Sequence, residues 1–338
     1  MNMSNKPIIA LAMGDPAGIS PELTAKAIAL DEVRHAARLV VVGDRRIFDE
    51  GARVAQCAPD VEMVAEDDAP GARDRPAFID VAHTDPATIK RGVASAAGGR
   101  SALANYRLAL RLVARGLADA VCFTPFNKQA MRLADPSYDD EIGFTAGILG
   151  TTAPATEFNI LEGLWNARVT SHIPLSAVAG SLDVERIVEA AQLTDDALRA
   201  AGLDQPRIGV AALNPHAGDG GNFGREEIDI IGPAVERAKA RGLGVDGPYP
   251  ADTVFVRAKA GQFDAVLTMY HDQGQIAMKL MGFDRGVTLL GGFPFAICTP
   301  AHGTAYDIAG KGIANIGATR AALLLAGKMA ARTARPPH

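Results

Sequence analysis

Three histidines stand where chemistry could be done. "SHIPL" (171–175), "NPHAG" (214–218) and "MYHDQG" (270–275) each set a histidine among loop-forming residues at the end of an apolar run. Neutral imidazole is a good ligand for a divalent ion such as Zn²⁺, and three imidazoles leave a coordination position open for substrate. His172, His216 and His271 are therefore the candidate metal ligands. Each taken alone also has a plainer reading, as a strand cap or a satisfied loop residue, and no HExxH-type local spacing links them. Among the remaining histidines only His302 occupies a comparable position.

Whether the three converge depends on the elements that carry them. The short apolar runs "IIALAM" (8–13), "RLVVVGD" (38–44), "DAVCFTP" (119–125), "RIGVAAL" (207–213) and "DAVLTMY" (264–270) stop at Gly, Pro, Asp or a loop. Between them lie helix-like stretches such as "GGRSALANYRLALRLVARGLA" (98–118), "DVERIVEAAQLTDDALRAAG" and "EEIDIIGPAVERAKARG". That alternation predicts an α/β fold around a parallel or mixed sheet covered on both faces. In open α/β sheets, ligands bind beyond the carboxyl ends of the strands, and all three histidines fall at or just after such ends. Residues 51–98 are rich in Asp, Ala and Pro and read as surface strands and loops. "ATRAALLLAGKMAAR" is expected to form a closing amphipathic helix.

Composition narrows the function classes. The 338 residues, 48% hydrophobic and 22% charged, suit one large domain or two with a sizeable core. A formal charge of -5, with no dense basic run, argues against a nucleic-acid surface. Cys57, Cys122 and Cys298 are few and dispersed, which fits a reducing compartment better than a disulfide framework. "MNMSNKP" is too short and polar for a signal peptide, and no apolar run approaches the roughly 18 residues that span a bilayer. A cytoplasmic protein without membrane partners is expected.

Two further stretches could hold a ligand. "PAHGTAYDIAGKGIAN" (300–315) has glycines that permit close backbone approach. As a bare pattern it could be only a loop into the last helix. "GDPAGISPE" (14–22) could offer an anion the start of a helix, or be a simple tight turn. The first stretch resembles the adenosine-binding loop of the isopropylmalate and isocitrate dehydrogenases, which bind NAD without the G-x-G-x-x-G fingerprint. The P-loop pattern is missing from this sequence, and the letters of the fingerprint occur only as "GLGVDG" (242–247).

Taken in order, "GDPAGISPE", "TPFNK", "SHIPL", "LNPHAGDGGNFGREEID", "GPYPADT", "MYHDQG", "KLMGFDRGV" and "HGTAYDIAGKG" resemble the 4-hydroxythreonine-4-phosphate dehydrogenase (PdxA) family over about residues 7–328. The resemblance implies an isopropylmalate-dehydrogenase-like fold of two α/β domains with a cleft between them. Residues 1–125 plus 290–338 would form a cofactor-binding domain, and 126–289 a metal, substrate and dimerisation domain. It implies a homodimer with a shared active site, NAD or NADP, and one divalent metal (Zn, Mg, Mn or Co) on His172, His216 and His271, with Asp252 of the partner subunit nearby. His302, Gly303, Thr304, Asp307 and Asn315 would contact the adenosine half of the cofactor. Asp15, Glu22, Glu226 and Asp229 lie in motif positions without assigned roles.

The sequence departs from the family where substrate phosphate is recognised. The family's "GHT" turn reads "GFT" here, so Phe144 replaces a histidine while Thr145 remains. Thr288 and Ile297 stand where phosphate-binding members carry Asn and Arg; Lys279 is kept. Without the guanidinium, one lysine supplies only a point charge. These changes resemble the family's cis-dihydrodiol carboxylate dehydrogenases, so an unphosphorylated dihydrodiol or similar hydroxy-acid carboxylate is the expected substrate. 4-Phosphohydroxy-L-threonine, or a phospho-threonate, is the alternative, and a non-catalytic metabolite binder is a third reading. For either substrate the expected chemistry is hydride transfer from a metal-bound secondary alcohol beside a carboxylate, followed by decarboxylation. Lys279 and Thr145 would orient the substrate anion, and Lys128 and Asp272 are the acid/base candidates. The plainer readings are a surface charge for Lys128 and an orienter of a ligand histidine for Asp272.

Overall fold

The computed structural model describes residues 6–69, 71, 75–161 and 163–333. The first five residues of "MNMSNKP", on which the signal-peptide argument bears, lie outside them. The chain opens with β1 (Ile8–Ala12), α1 (Ser20–Ala29), α2 (Asp31–Ala36), β2 (Arg38–Gly43) and α3 (Arg45–Val54). Two short strands follow, β3 (Glu62–Met63) and β4 (Ala77–Asp80), then α4 (Ala96–Ala114), β5 (Ala120–Phe123), α5 (Lys128–Ala134) and α6 (Glu141–Leu149). The middle of the chain forms β6 (Thr156–Leu161), β7 (Leu164–Arg168), α7 (Val184–Ala200), β8 (Ile208–Ala211) and α8 (Gly232–Ala240). It continues through β9 (Val245–Tyr249), α9 (Ala251–Lys259), β10 (Ala265–Thr268), α10 (His271–Gly282) and β11 (Val287–Gly291). β12 (Ile297–Pro300) and α11 (Gly317–Thr333) complete it.

Two α/β units result, one of residues 1–153 and 293–338, the other of residues 154–292. Residues 126–153, which the sequence assigned to the middle segment, belong to the first unit. The reason is packing: α5 lies against α4, and Met131 joins Leu103 and Tyr138 in one buried cluster.

In the first unit the strands run β3-β4-β2-β1-β5-β12, all parallel. Parallel neighbours need crossover connections, and helices supply them and cover the faces. That explains why β1 is apolar throughout and buried along its whole length. β4 corrects the reading of 51–98 as surface: Ala77, Phe78 and Ile79 are buried, and the Phe78 ring meets Phe48 at 5.1 Å. A four-residue strand is too short for its period to stand out.

In the second unit the order is β11-β6-β7-β10-β8-β9. β11, β6 and β7 pair antiparallel, and β7, β10, β8 and β9 pair parallel. Val266, Phe255, Phe263 and Met278 anchor its core. The "EEIDIIGPAVERAKARG" helix starts as a wide π turn over Glu227–Ile231 before α8. Pro233 lacks an N–H to donate into the preceding turn, and that is where the regular helix takes over.

Candidate functional site

The second unit places the three histidines on one edge. β7, β10 and β8 are adjacent and parallel, with Thr268 beside Arg168 and Leu267 beside Val210. Neighbouring strands lie about 4.8 Å apart, so their carboxyl ends emerge side by side. His172 follows β7, His271 opens α10 just after β10, and His216 follows β8. The rings of His172 and His271 face one another with centroids 5.7 Å apart. Asp272 Oδ1 lies 2.6 Å from His271 Nδ1. A carboxylate there holds the proton on Nδ1 and leaves the Nε2 lone pair for a ligand bond. Asp272 is thus engaged with its neighbour, which favours orienter over base.

His216 is held differently. Residues 216–221 all have positive φ, with His216 at 52°, Ala217 at 54° and Asp219 at 45°. A left-handed conformation costs a non-glycine residue about 1–2 kcal/mol, so the turn must be fastened from outside. Glu227 does this. Its buried carboxylate accepts from Leu213 N at 2.8 Å, Asn214 N at 2.7 Å and Asn214 Nδ2 at 3.0 Å. Gly218 allows the approach, since a Cβ there would lie 2.7 Å from Glu227 Oε2. The His216 ring stands 6.1 Å from Phe223. Among the described residues, no three His, Cys, Asp or Glu side chains are grouped closely enough to hold an ion. The structure therefore brings His172 and His271 together and leaves His216 on its own braced turn. Asp252 is exposed in the first turn of α9, and Lys279 is exposed on α10 two turns after His271.

Several expected substrate contacts are structural instead. Ile297 is 0% exposed inside β12, paired with Val121, and lines no site. Thr145 is fully buried, its hydroxyl 2.6 Å from that of Tyr106. Phe144 packs on the Leu103–Met131–Tyr138 cluster, stacked on Tyr106 at 5.7 Å with the Arg107 guanidinium over its ring. Lys128 pairs with Glu141 at 3.2 Å. Thr288 is half-buried on β11, accepting from Asn159 Nδ2 at 3.3 Å.

The glycine-rich loop of the first unit is pinned from α1, a role the sequence left unassigned. Glu22 Oε1 accepts from Ala314 N at 2.9 Å and from Lys26 Nζ at 2.7 Å. Lys26 Nζ also donates to the carbonyls of Gly312 at 3.0 Å and Ala314 at 2.9 Å. Thr304 is buried, and its carbonyl accepts from Ile19 N. It ties the loop down, whereas Gly303, Asp307 and Asn315 are exposed and available to a ligand. Tyr306 donates to Asp15 Oδ2 at 2.6 Å. Burial pushes the Asp15 carboxyl up, against the pull of that hydrogen bond. Lys26→Met removes two hydrogen bonds to the loop and one to Glu22. At about 1 kcal/mol net for its anchoring, dinucleotide binding should weaken about fivefold, as a fluorescence titration would read.

The same architecture occurs in proteins of known class. A Klebsiella pneumoniae crystal structure named 4-hydroxythreonine-4-phosphate dehydrogenase superposes with a TM-score of 0.83 at 34% identity, covering 96% of this chain and 99% of that one. A Rhizobium meliloti protein provisionally named 4-hydroxythreonine-4-phosphate dehydrogenase 2 is 62% identical over 326 residues, 96% of this chain and 94% of that protein. The Salmonella typhimurium D-threonate 4-phosphate dehydrogenase is 37% identical, over 95% of this chain and 98% of that one. Fold and relatives together define the class, an α/β dehydrogenase. Within it, the chain belongs to the family described as pyridoxal phosphate biosynthetic protein PdxA, which matches residues 35–326.

These relatives overturn the expectation of an unphosphorylated dihydrodiol substrate. The Burkholderia xenovorans terephthalate 1,2-cis-dihydrodiol dehydrogenase is a more distant neighbour, with a TM-score of 0.65 at 31% identity. The nearly full-length relatives at higher identity carry the names of phosphorylated substrates. The physical basis of that expectation also fails, because Ile297 and Phe144 are packing residues and say little about a substrate's charge. Among the described residues, no helix is long and apolar enough to cross a membrane.

Proposed function

We propose that this protein oxidises 4-phosphohydroxy-L-threonine at the secondary alcohol β to its carboxylate, with NAD or NADP as hydride acceptor. The observation that carries the reading is the 62% identity, over almost the whole chain, to a relative named for that substrate. The adjacent His172 and His271 rings, one already oriented by a carboxylate, suit a divalent cation. His216 is the third candidate ligand, with Asp252 of the partner subunit nearby in a homodimer. The cation would supply Lewis-acid polarisation of the alcohol oxygen.

This chain's own residues do the rest. Asp272 keeps the proton of His271 on Nδ1. Lys279 offers an ammonium to the substrate's anionic groups. Asp307 and Asn315, with His302 and Gly303, take the adenosine half of the dinucleotide, on a loop held by Glu22, Lys26 and Thr304. Oxidation β to a carboxylate yields a keto acid that loses CO₂, which completes an oxidative decarboxylation.

The test is to mix the protein with Mn²⁺, NAD or NADP, and either 4-phosphohydroxy-L-threonine, D-threonate 4-phosphate or the unphosphorylated parent acids, following reduced nicotinamide. A hydrogen bond to a charged group is worth about 1.5–3 kcal/mol. The phosphorylated substrate should therefore exceed its parent in kcat/KM by about a hundredfold. Equal turnover of the parent acid, or faster turnover of D-threonate 4-phosphate, would defeat the assignment.

A further inference from the structure

Behind the His172–His271 pair lies a buried guanidinium. Arg168 is the last residue of β7, and its side chain is 1% exposed. Its three donor groups point in three directions. Nη2 donates to Glu157 Oε2 at 2.6 Å, Nη1 to Asn159 Oδ1 at 2.8 Å, and Nε to Ser171 Oγ at 3.1 Å. Ser171 is the residue before His172. Asn159 Oδ1 also accepts from Gln275 Nε2, and Gln275 sits one turn after His271 on α10. One side chain therefore touches the loop that carries one imidazole and, through a single amide, the helix that carries the other.

Such a group is costly for stability alone. Burial pushes the Arg168 guanidinium down from its usual range, while Glu157 works in the opposite direction. A buried ion pair seldom stabilises more than apolar residues of the same size would, and is best explained by the geometry it specifies. The forked, planar donor set is what allows three partners at once, which a lysine ammonium on a flexible stem reproduces poorly.

We propose that Arg168 is a positioning residue that sets the separation and orientation of His172 and His271, acting through Ser171 on one side and through Asn159 and Gln275 on the other. The proposal rests on the reading of those histidines as cation ligands. Groups that orient metal ligands change affinity by about 10–100-fold when removed.

Co²⁺ provides a probe that needs no turnover, because its visible absorption reports ligand geometry. Ser171→Ala cuts only the link to the His172 loop. It should stay folded with a modestly lower melting temperature, since Arg168 Nε loses its acceptor, bind Co²⁺ about tenfold more weakly and show an altered visible spectrum. Arg168→Lys should show the same changes to a greater degree. Unchanged Co²⁺ affinity and spectrum in folded Ser171→Ala would overturn the proposal even if Arg168→Lys fails to fold. His172→Ala separates the two levels: if it binds Co²⁺ as the unmodified protein does, the cation reading itself falls, whatever Ser171→Ala shows.

Discussion

His271→Ala should lower kcat/KM by a thousandfold or more and leave the fold intact. The side chain is 35% exposed and opens α10, so its loss leaves no cavity in the core. What is removed is one of two imidazoles 5.7 Å apart at the carboxyl edge of the sheet, together with the partner of Asp272. Charge stabilisation at an alcohol losing its proton is worth several kcal/mol, and about 4 kcal/mol corresponds to a thousandfold in rate. Asp272→Asn should cost less, about 10–100-fold, because it disturbs only the orientation of the ring. Steady-state kinetics with added Mn²⁺ and circular dichroism on both variants provide the check. A His271→Ala enzyme with near-normal kcat/KM would take this residue out of the chemistry.

The second large effect falls on stability. Glu227→Ala should destabilise the second unit by about 3 kcal/mol or more, since it strips the acceptor from two backbone N–H groups at once, while Asn214 Nδ2 keeps Glu226. Leaving a single buried donor unpaired costs about 1–3 kcal/mol. The left-handed turn of residues 216–221 loses the brace at its entry as well. Activity should therefore fall beyond what the lost stability explains, because His216 rides on that turn. Glu227→Gln keeps the Oε1-type acceptor for Leu213 and Asn214 and should land between the two. Urea unfolding measures the order, and a Glu227→Ala protein as stable as the unmodified one would mean the clamp is dispensable.

How far the sequence could be read follows from how each element advertises itself. Buried parallel strands are continuous apolar runs, so β1, β2, β5, β8 and β10 are visible as such, and with them the strand ends where His216 and His271 sit. β6 and β7 are hidden because Asn159, Asn166 and Arg168 are polar and buried, serving hydrogen bonds that no hydropathy pattern reports. Arg168 was missed for the same reason. The turn at 216–221 looks like any glycine-containing loop, and nothing in "PHAGDGG" tells that His216 and Asp219 share the glycines' backbone hand. Thr145 and Ile297 were misjudged because matching a family position says where a residue falls in the chain, not whether it is exposed. Their burial depends on Tyr106 and Val121, distant in sequence.

The chain leaves its first unit at residue 153 and rejoins it at 293. The ends of the intervening segment meet, with Gly291 beside Thr156 on paired strands and Gly292 packed on the Pro154 carbonyl. Synthesis from the ribosome runs amino end first, and domains generally fold as units. The inserted segment is thus complete and able to close on itself while β12 and α11 are still unmade. The amino-terminal strands must wait for those last pieces before β5 has its second parallel neighbour, so the later-made segment should mature before the earlier one.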